Sequence, residues 1–164
     1  MAIESFHKDY YWKAVIDWKP PRRWYDDDEF QRVYLRDSDK TEYGIYRFER
    51  RHGSQKDGRE NLYIGIAFRQ YFDKRLHQGF HEWMLRNAKK GQIWVSVGLI
   101  DLKGTKHTRQ RYEEIEALLI YFTRPTLNER KKHWCRECYY EINNIGYKGP
   151  LPKYIKYPLA EISY

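Results

Sequence analysis

The segments TEYGIYRFER, residues 41–50, and LYIGIAF, residues 62–68, decide the fold that the sequence predicts. In the first segment apolar and polar side chains alternate, which is the period of a half-buried strand. In the second, three large aliphatic side chains fall on one face and Tyr63 on the other. The residues between them include many charged side chains and two glycines, which is typical of a hairpin loop. We therefore expect two adjacent antiparallel strands, with Tyr46 and Tyr63 on the same side.

The remaining regular patterns add one strand and two helices. QIWVSVGLID, residues 92–101, is rich in β-branched and aromatic residues, which favours a strand. Large apolar residues recur at spacings of three and four in residues 70–91 and again in 109–123, which predicts two helices, the second ended by Pro125. This order of elements is that of an α+β domain, and we expect a three-stranded antiparallel sheet flanked by helices.

Outside residues 42–128 the periodicity is weak. Residues 1–41 combine the Pro20-Pro21 pair with an acidic cluster and predict an N-terminal arm. Residues 129–164 hold five Gly or Pro residues and many tyrosines, and they are interpreted as a C-terminal extension. A chain of 164 residues accommodates one domain with such extensions, but hardly two domains.

The charge of the chain is uneven. The formal net charge is +8, yet residues 1–43 hold eight Lys/Arg against ten Asp/Glu, so residues 44–164 hold 23 against 13, a net charge of +10. Clustered cations attract phosphate groups by releasing condensed counterions. An anionic partner such as a nucleic acid is therefore plausible for the larger segment.

Two further features bear on compartment and metal content. No apolar run of about 18 residues is present and the amino terminus lacks a charged stretch followed by an apolar one, so we expect a cytoplasmic protein with no membrane partner. Cys135 and Cys138 have CxxC spacing, which suits a zinc site, a redox pair or two unrelated thiols. A zinc site would need two more ligands, and only His133 and His107 are candidates, so reduced thiols are favoured.

Four polar side chains on four different elements are the candidates for a functional site. Tyr46 and Tyr63 lie on the first two predicted strands, Arg75 on the first helix and Glu116 on the second. Each has an ordinary structural alternative: a strand tyrosine, a surface ion pair or a solvated helix face. We expect the four to converge, because the sheet and its flanking helices meet at one place.

The motifs along this region resemble those of the GIY-YIG nuclease family. Gly44-Ile45-Tyr46 and Tyr63-Ile64-Gly65 match both signature tripeptides letter for letter. DKRL at 73–76 resembles the helix arginine segment of the family and EALLI at 116–120 its glutamate segment. RPTLN at 124–128 resembles the Pro-x-x-Asn ending. The resemblance covers a little over half of the chain.

The resemblance implies hydrolysis of a phosphodiester bond. It implies that Tyr46 is the general base on the attacking water and that Tyr63 hydrogen-bonds the water or the phosphate. Glu116 would offer a hard oxygen to one Mg²⁺ (or Mn²⁺), and Arg75 a planar cation to the phosphate oxygens. Asn128 joins the site as a fifth member. Because free tyrosine titrates near pH 10, the base role requires a lowered pKa at Tyr46 or a nearby acceptor.

Two assignments in the site stay open. Arg75 follows the second tyrosine by twelve residues, about two more than is usual in the family, so Arg69 is a second candidate for the arginine. Either His77 or His81 could assist the tyrosine base, with His77 taken as the candidate.

DNA is the expected partner, with RNA as the open alternative and either a monomer or a homodimer as the assembly. The rival hypothesis is a module that keeps this fold, binds nucleic acid or protein, and cuts weakly or not at all, since Ile66 and Ala67 stand where some relatives carry Lys or Ser. Four cations near the candidate site are expected to contact nucleic acid: Arg69, Lys74, Lys89 and Lys90.

Overall fold

The protein, seen in a computed structural model, is mostly β. The structure describes residues 11–24, 43–51, 59–76, 92–130, 138–158 and 161–164. Its strands are β1 (Trp12–Trp18), β2 (Arg22–Arg23), β3 (Tyr43–Arg51), β4 (Arg59–Phe68), β5 (Gln92–Asp101), β6 (Tyr140–Gly146), β7 (Tyr154–Tyr157) and β8 (Glu161–Ser163). Its described helices are α1 (Phe72–Leu76) and α2 (Arg109–Thr123).

The eight strands form one mixed, curled sheet. Their order is β4-β3-β5-β1-β6-β7-β8, with β2 paired to β5. β1 and β6 run parallel, and the other neighbours run antiparallel. The prediction of a three-stranded antiparallel sheet flanked by helices is therefore wrong. The three strands on which it rested, β3, β4 and β5, lie side by side, but they are less than half of the sheet.

The five additional strands come from the segments interpreted as an arm and an extension. β1 buries Ala14, Ile16 and Trp18 at alternate positions, which is the strand period in a stretch too short to stand out in the sequence. Its parallel partner β6 begins by pairing Trp12 with Tyr140, more than a hundred residues away. Pairing between strands so far apart in the chain leaves no pattern in the local sequence. The sheet is therefore larger than the sequence predicted.

Hydrophobic clusters cover both faces of the sheet, since side chains along a strand point alternately to either side. The cluster on the α2 face includes Ile45, Ile64, Ile115 and Leu118. The opposite cluster includes both candidate tyrosines and packs against α1. Its members are Trp24, Tyr46, Phe48, Leu62, Ala67, Phe72, Leu76, Ile93, Val95 and Val97, with Tyr63, Leu99 and Leu127 at its margin.

Helix α2 has defined ends. The side chain of Thr108 accepts a hydrogen bond from Arg111 N and caps its start. Arg124 takes a left-handed conformation at the other end, and its N–H donates to the Ile120 carbonyl at 2.8 Å. Of the helix predicted over residues 70–91, only the α1 part falls within the described residues. No helix among the described ranges is long and apolar enough to span a bilayer.

A buried arginine ties the C-terminal strands to β3. Arg47 is fully buried, and its guanidinium donates to the carbonyls of Tyr147 and Lys148 in the loop after β6. The same group lies 5.1 Å from the ring of Trp18 and 3.4 Å from the buried carboxylate of Glu49. Removing one partner of a buried ion pair is costly, so this network fixes the loop to the strand that carries Tyr46.

Candidate functional site

The two motif tyrosines lie on one face of the β3-β4 pair. Tyr46 is paired across the strands with Gly65, which is two residues from Tyr63, so the two side chains are diagonal neighbours. Their ring centroids are 6.2 Å apart with an interplanar angle of 30°. Tyr46 is fully buried, whereas Tyr63 is half-buried and reaches the surface.

The glycine of each signature tripeptide leaves room for an aromatic ring. A Cβ at Gly65 would lie 2.4 Å from Oη and 2.6 Å from Cζ of Tyr46. A Cβ at Gly44 would lie 2.2 Å from Cζ of Phe72, the first residue of α1. Any larger residue at these two positions would displace either the buried tyrosine or the helix that carries Arg75.

A β-bulge lies beside Tyr63. The register between β3 and β4 shifts at Phe48/Glu49, where β4 has Leu62 as an extra residue. A bulge twists a strand and changes the direction of nearby side chains. Leu62 consequently packs in the same cluster as Tyr46, and Tyr63 lies at the margin of that cluster.

Arg75 is the arginine that reaches the tyrosines. Its Nε donates to the Ile66 carbonyl at 3.2 Å, and its side chain hydrogen-bonds Tyr46. Arg69, the alternative candidate, follows the end of β4 with a positive φ of 52° and lines a cavity beside the start of α2. The structure therefore brings Arg75 to Tyr46 despite the longer spacing.

The pKa values of both tyrosines are raised. Burial is the main cause for Tyr46, the nearby Tyr63 and the Glu116 carboxylate act in the same direction, and Arg75 acts against them. Burial also raises the pKa of Tyr63, followed by the effect of Glu116, while Arg75 and a hydrogen bond with Tyr46 lower it. Both phenols are thus neutral near pH 7, which differs from the lowered pKa that a base role at Tyr46 requires.

Glu116 is the carboxylate of the cluster. It projects from the middle of α2, it is partly buried, and its charge acts on both tyrosines. Within the described ranges no three His, Cys, Asp or Glu side chains group together as a metal site. Magnesium keeps several of its waters and needs only one or two carboxylates beside a substrate phosphate, so Glu116 fits a one-metal site of that kind.

Asn128 holds the backbone of β4. Its Oδ1 accepts from Ile64 N at 2.9 Å and its Nδ2 donates to Ile64 O at 3.0 Å. The two residues before it continue the same edge, because Thr126 N and Leu127 N donate to carbonyls of β4. Asn128 binds β4 as a neighbouring peptide group would, beside Tyr63, and these hydrogen bonds suit a positioning role.

Several other predicted residues lie outside the part of the chain that the structure describes. His77, His81, Lys89, Lys90 and Cys135 lie outside the described residues, as does the side chain of Lys74. Cys138 is described and is buried. The assisting histidine, all four nucleic-acid contacts and the role of the CxxC pair therefore stay predictions.

A group of cations at the start of α2 was missed from the sequence. His107, Arg109 and Arg111 surround the first turn, which holds no acidic residue. Helices favour carboxylates at that end, so the cation-rich KHTRQR at 106–111 was an available signal.

Comparison with known proteins identified no relative of the chain. No family model matches the chain, and no curated protein or solved structure is significantly similar to it.

Proposed function

We propose that the chain is a divalent-metal-dependent endonuclease that hydrolyses phosphodiester bonds in DNA. One observation carries the proposal: Tyr46 and Tyr63 lie 6.2 Å apart, and Arg75 and Glu116, on two further elements, are close enough to affect the pKa of both phenols. The order and identity of the motifs support it, because these are the four residues that resemble the GIY-YIG pattern.

Each side chain has a distinct role in this reaction. Arg75 binds the oxygens of the scissile phosphate with a permanently charged, planar group. Tyr63, at the surface of the cluster, donates a hydrogen bond to the phosphate or the attacking water. Tyr46 accepts a proton from that water, and Glu116 holds the cation. A bound Mg²⁺ (or Mn²⁺) supplies positive charge that stabilises the developing charge on the phosphate and the leaving oxygen.

The raised pKa of Tyr46 defines what the base role requires. Burial makes the phenol neutral, so it has to lose its own proton to the solvent before it accepts one from the attacking water. Arg75 already acts in that direction through its charge and its hydrogen bond. The Glu116 carboxylate acts in the opposite direction, and a cation bound to it offsets this effect.

Cleavage assays test the proposal directly. The full chain is incubated with plasmid DNA, single-stranded DNA and RNA in the presence of Mg²⁺ or Mn²⁺. We expect cutting by the wild type and a loss of roughly 100-fold or more in Glu116→Ala, Tyr46→Phe and Arg75→Ala. The proposal fails if the wild type cuts none of these substrates, or if Glu116→Ala cuts as well as the wild type.

Two control variants match these substitutions in chemistry. Glu113→Ala removes a carboxylate three residues away on α2, where the side chain is 46% exposed and forms a surface ion pair with Arg109. Tyr147→Phe removes the hydroxyl of a tyrosine that is 61% exposed, in the loop after β6. Both variants should cut at the wild-type rate, because surface ion pairs and exposed hydroxyls contribute little.

The second candidate is a binding module without cutting activity. The neutral, fully buried Tyr46 favours it, as does the apolar Ile66 after the second tripeptide. Salt-dependent DNA binding that survives Glu116→Ala, in a protein that cuts nothing, would support this candidate over the enzyme.

A further inference from the structure

A cavity of about 480 Å³ lies between the end of β4 and the loop that precedes α2. Its lining is Phe68, Arg69, His107, Thr108 and Arg109. Three of these five side chains are cationic or become cationic on protonation, and none is acidic. The cavity is open to solvent and presents its cations from two separate segments of the chain.

The cationic side chains are anchored close to the opening. Arg69 follows β4 directly and lies over the ring of Phe68, with its guanidinium carbon 5.7 Å from the ring centroid. The Nδ1 atom of His107 is 2.7 Å from Oη of Tyr112, a fully buried residue of α2. These contacts hold both side chains at the cavity, and neither contact is with an acidic group.

Arg109 is available for a stronger partner. It pairs with Glu113 at 2.8 Å, but the two side chains are 72% and 46% exposed. An exposed pair of this kind contributes about 0.2–1 kcal/mol, so a phosphate can replace the carboxylate at little cost. The first turn of α2 contains no other acid to compete for the guanidinium.

The helix sets the distance from the cavity to the proposed site. Arg109 and Glu116 are seven residues apart on α2, so they share a face and are separated by about 10 Å along the axis. Stacked nucleotides advance about 3.4 Å each along a strand, and 10 Å therefore corresponds to roughly three nucleotides.

We infer that this cavity binds a backbone phosphate of the strand that is cut, roughly three nucleotides from the scissile bond. The inference rests on the proposed nuclease function. In this assignment the flanking phosphate is bound by Arg69, Arg109 and His107, and the scissile phosphate is bound by Arg75. Such contacts set the register of the strand in the site and carry no information on base sequence.

Binding measurements test the inference separately from cleavage. Fluorescein-labelled single-stranded and duplex DNA are titrated with the full chain carrying Glu116→Gln, at several salt concentrations. Adding Arg69→Ala or Arg109→Ala should raise Kd roughly threefold or more and reduce the slope of log Kd against log salt by about one. Arg69→Lys, which keeps the charge, should recover most of the affinity, and Lys153→Ala, an exposed cation before β7, should change neither quantity.

A second series locates the phosphate. Single uncharged methylphosphonate linkages are placed at each position of the same DNA. One position, roughly three nucleotides from the bond that the wild type cuts, should weaken binding by the otherwise intact chain. The effect at this position should be smaller in Arg69→Ala, where Arg109 and His107 remain.

The results separate the two proposals. If Arg69→Ala and Arg109→Ala bind like Lys153→Ala, or if every methylphosphonate effect persists in Arg69→Ala, the inference is overturned even though the wild type cuts DNA. If the wild type neither binds nor cuts any substrate, the proposed function and this inference fail together.

Discussion

Asn128→Ala removes both hydrogen bonds that hold the Ile64 peptide at the edge of β4. Ile64 is fully buried, and its N–H and C=O are bonded to the Asn128 amide at 2.9 and 3.0 Å. Each buried group left without a partner costs about 1–3 kcal/mol, so the pair amounts to about 2–6 kcal/mol. Water entering the vacated space brings the loss to the lower end, about 2–3 kcal/mol. At about 2–4 °C per kcal/mol, Tm should fall by about 4–12 °C.

Urea unfolding followed by tryptophan fluorescence gives the free energy of unfolding, and DNA cutting is measured at a temperature where the variant is folded. Thr126→Ala is the control, because Thr126 lies in the same segment with an exposed side chain and should lose less than about 1 kcal/mol. A positioning residue lowers stability and cutting together. If Asn128→Ala is as stable as Thr126→Ala and yet does not cut, Asn128 takes part in the chemistry and the present assignment is refuted.

Two further predictions concern the tyrosines. Gly65→Ala places a Cβ 2.4 Å from Oη of Tyr46, so the ring has to shift. A displacement of about 1 Å should reduce the initial cutting rate roughly 100-fold, while the far-ultraviolet circular dichroism stays unchanged. A fully active variant would contradict the tight packing seen at this glycine. The free energy of unfolding should fall as pH rises above about 10, because the folded chain retains protons on Tyr46, Tyr63 and Tyr140 that the unfolded chain releases there. Urea titrations at stepped pH measure the free energy of unfolding. Tyr140→Phe should make its decrease with pH shallower. A free energy of unfolding that is constant above about pH 10 would count against the raised pKa values of the buried phenols.

The elements that could be predicted from the sequence are those with a local period. β3 and β4 have alternating side chains and a charged loop between them, and these features do not depend on distant residues. The parallel pairing of β1 with β6 joins Trp12 to Tyr140 and depends on a contact across most of the chain. The fold class was wrong for this reason, since eight strands cannot be inferred from three with a clear pattern.

The candidate site divides in the same way. Strand period and motif identity brought Tyr46 and Tyr63 together in the prediction, and motif order added Arg75 and Glu116. The role of Asn128 could not be predicted, because its partner is the backbone of Ile64 and a backbone partner has no sequence signature. The direction of the pKa shifts also depends on how deeply each ring is buried, which follows from packing and not from the motif.

The contacts of Arg47 bear on the order in which the chain folds. This residue lies next to Tyr46, but the Lys148 carbonyl that it binds is 101 residues further along the chain. At a synthesis rate of about 5–20 residues per second, roughly 5–20 s pass between the emergence of the two partners. Contacts between residues so distant in sequence also slow folding in free solution, because loop closure precedes any gain in contact energy. The contacts of Arg47 are therefore completed late, whereas the sheet neighbours of β3 and the cluster around the two tyrosines consist of residues that are made earlier.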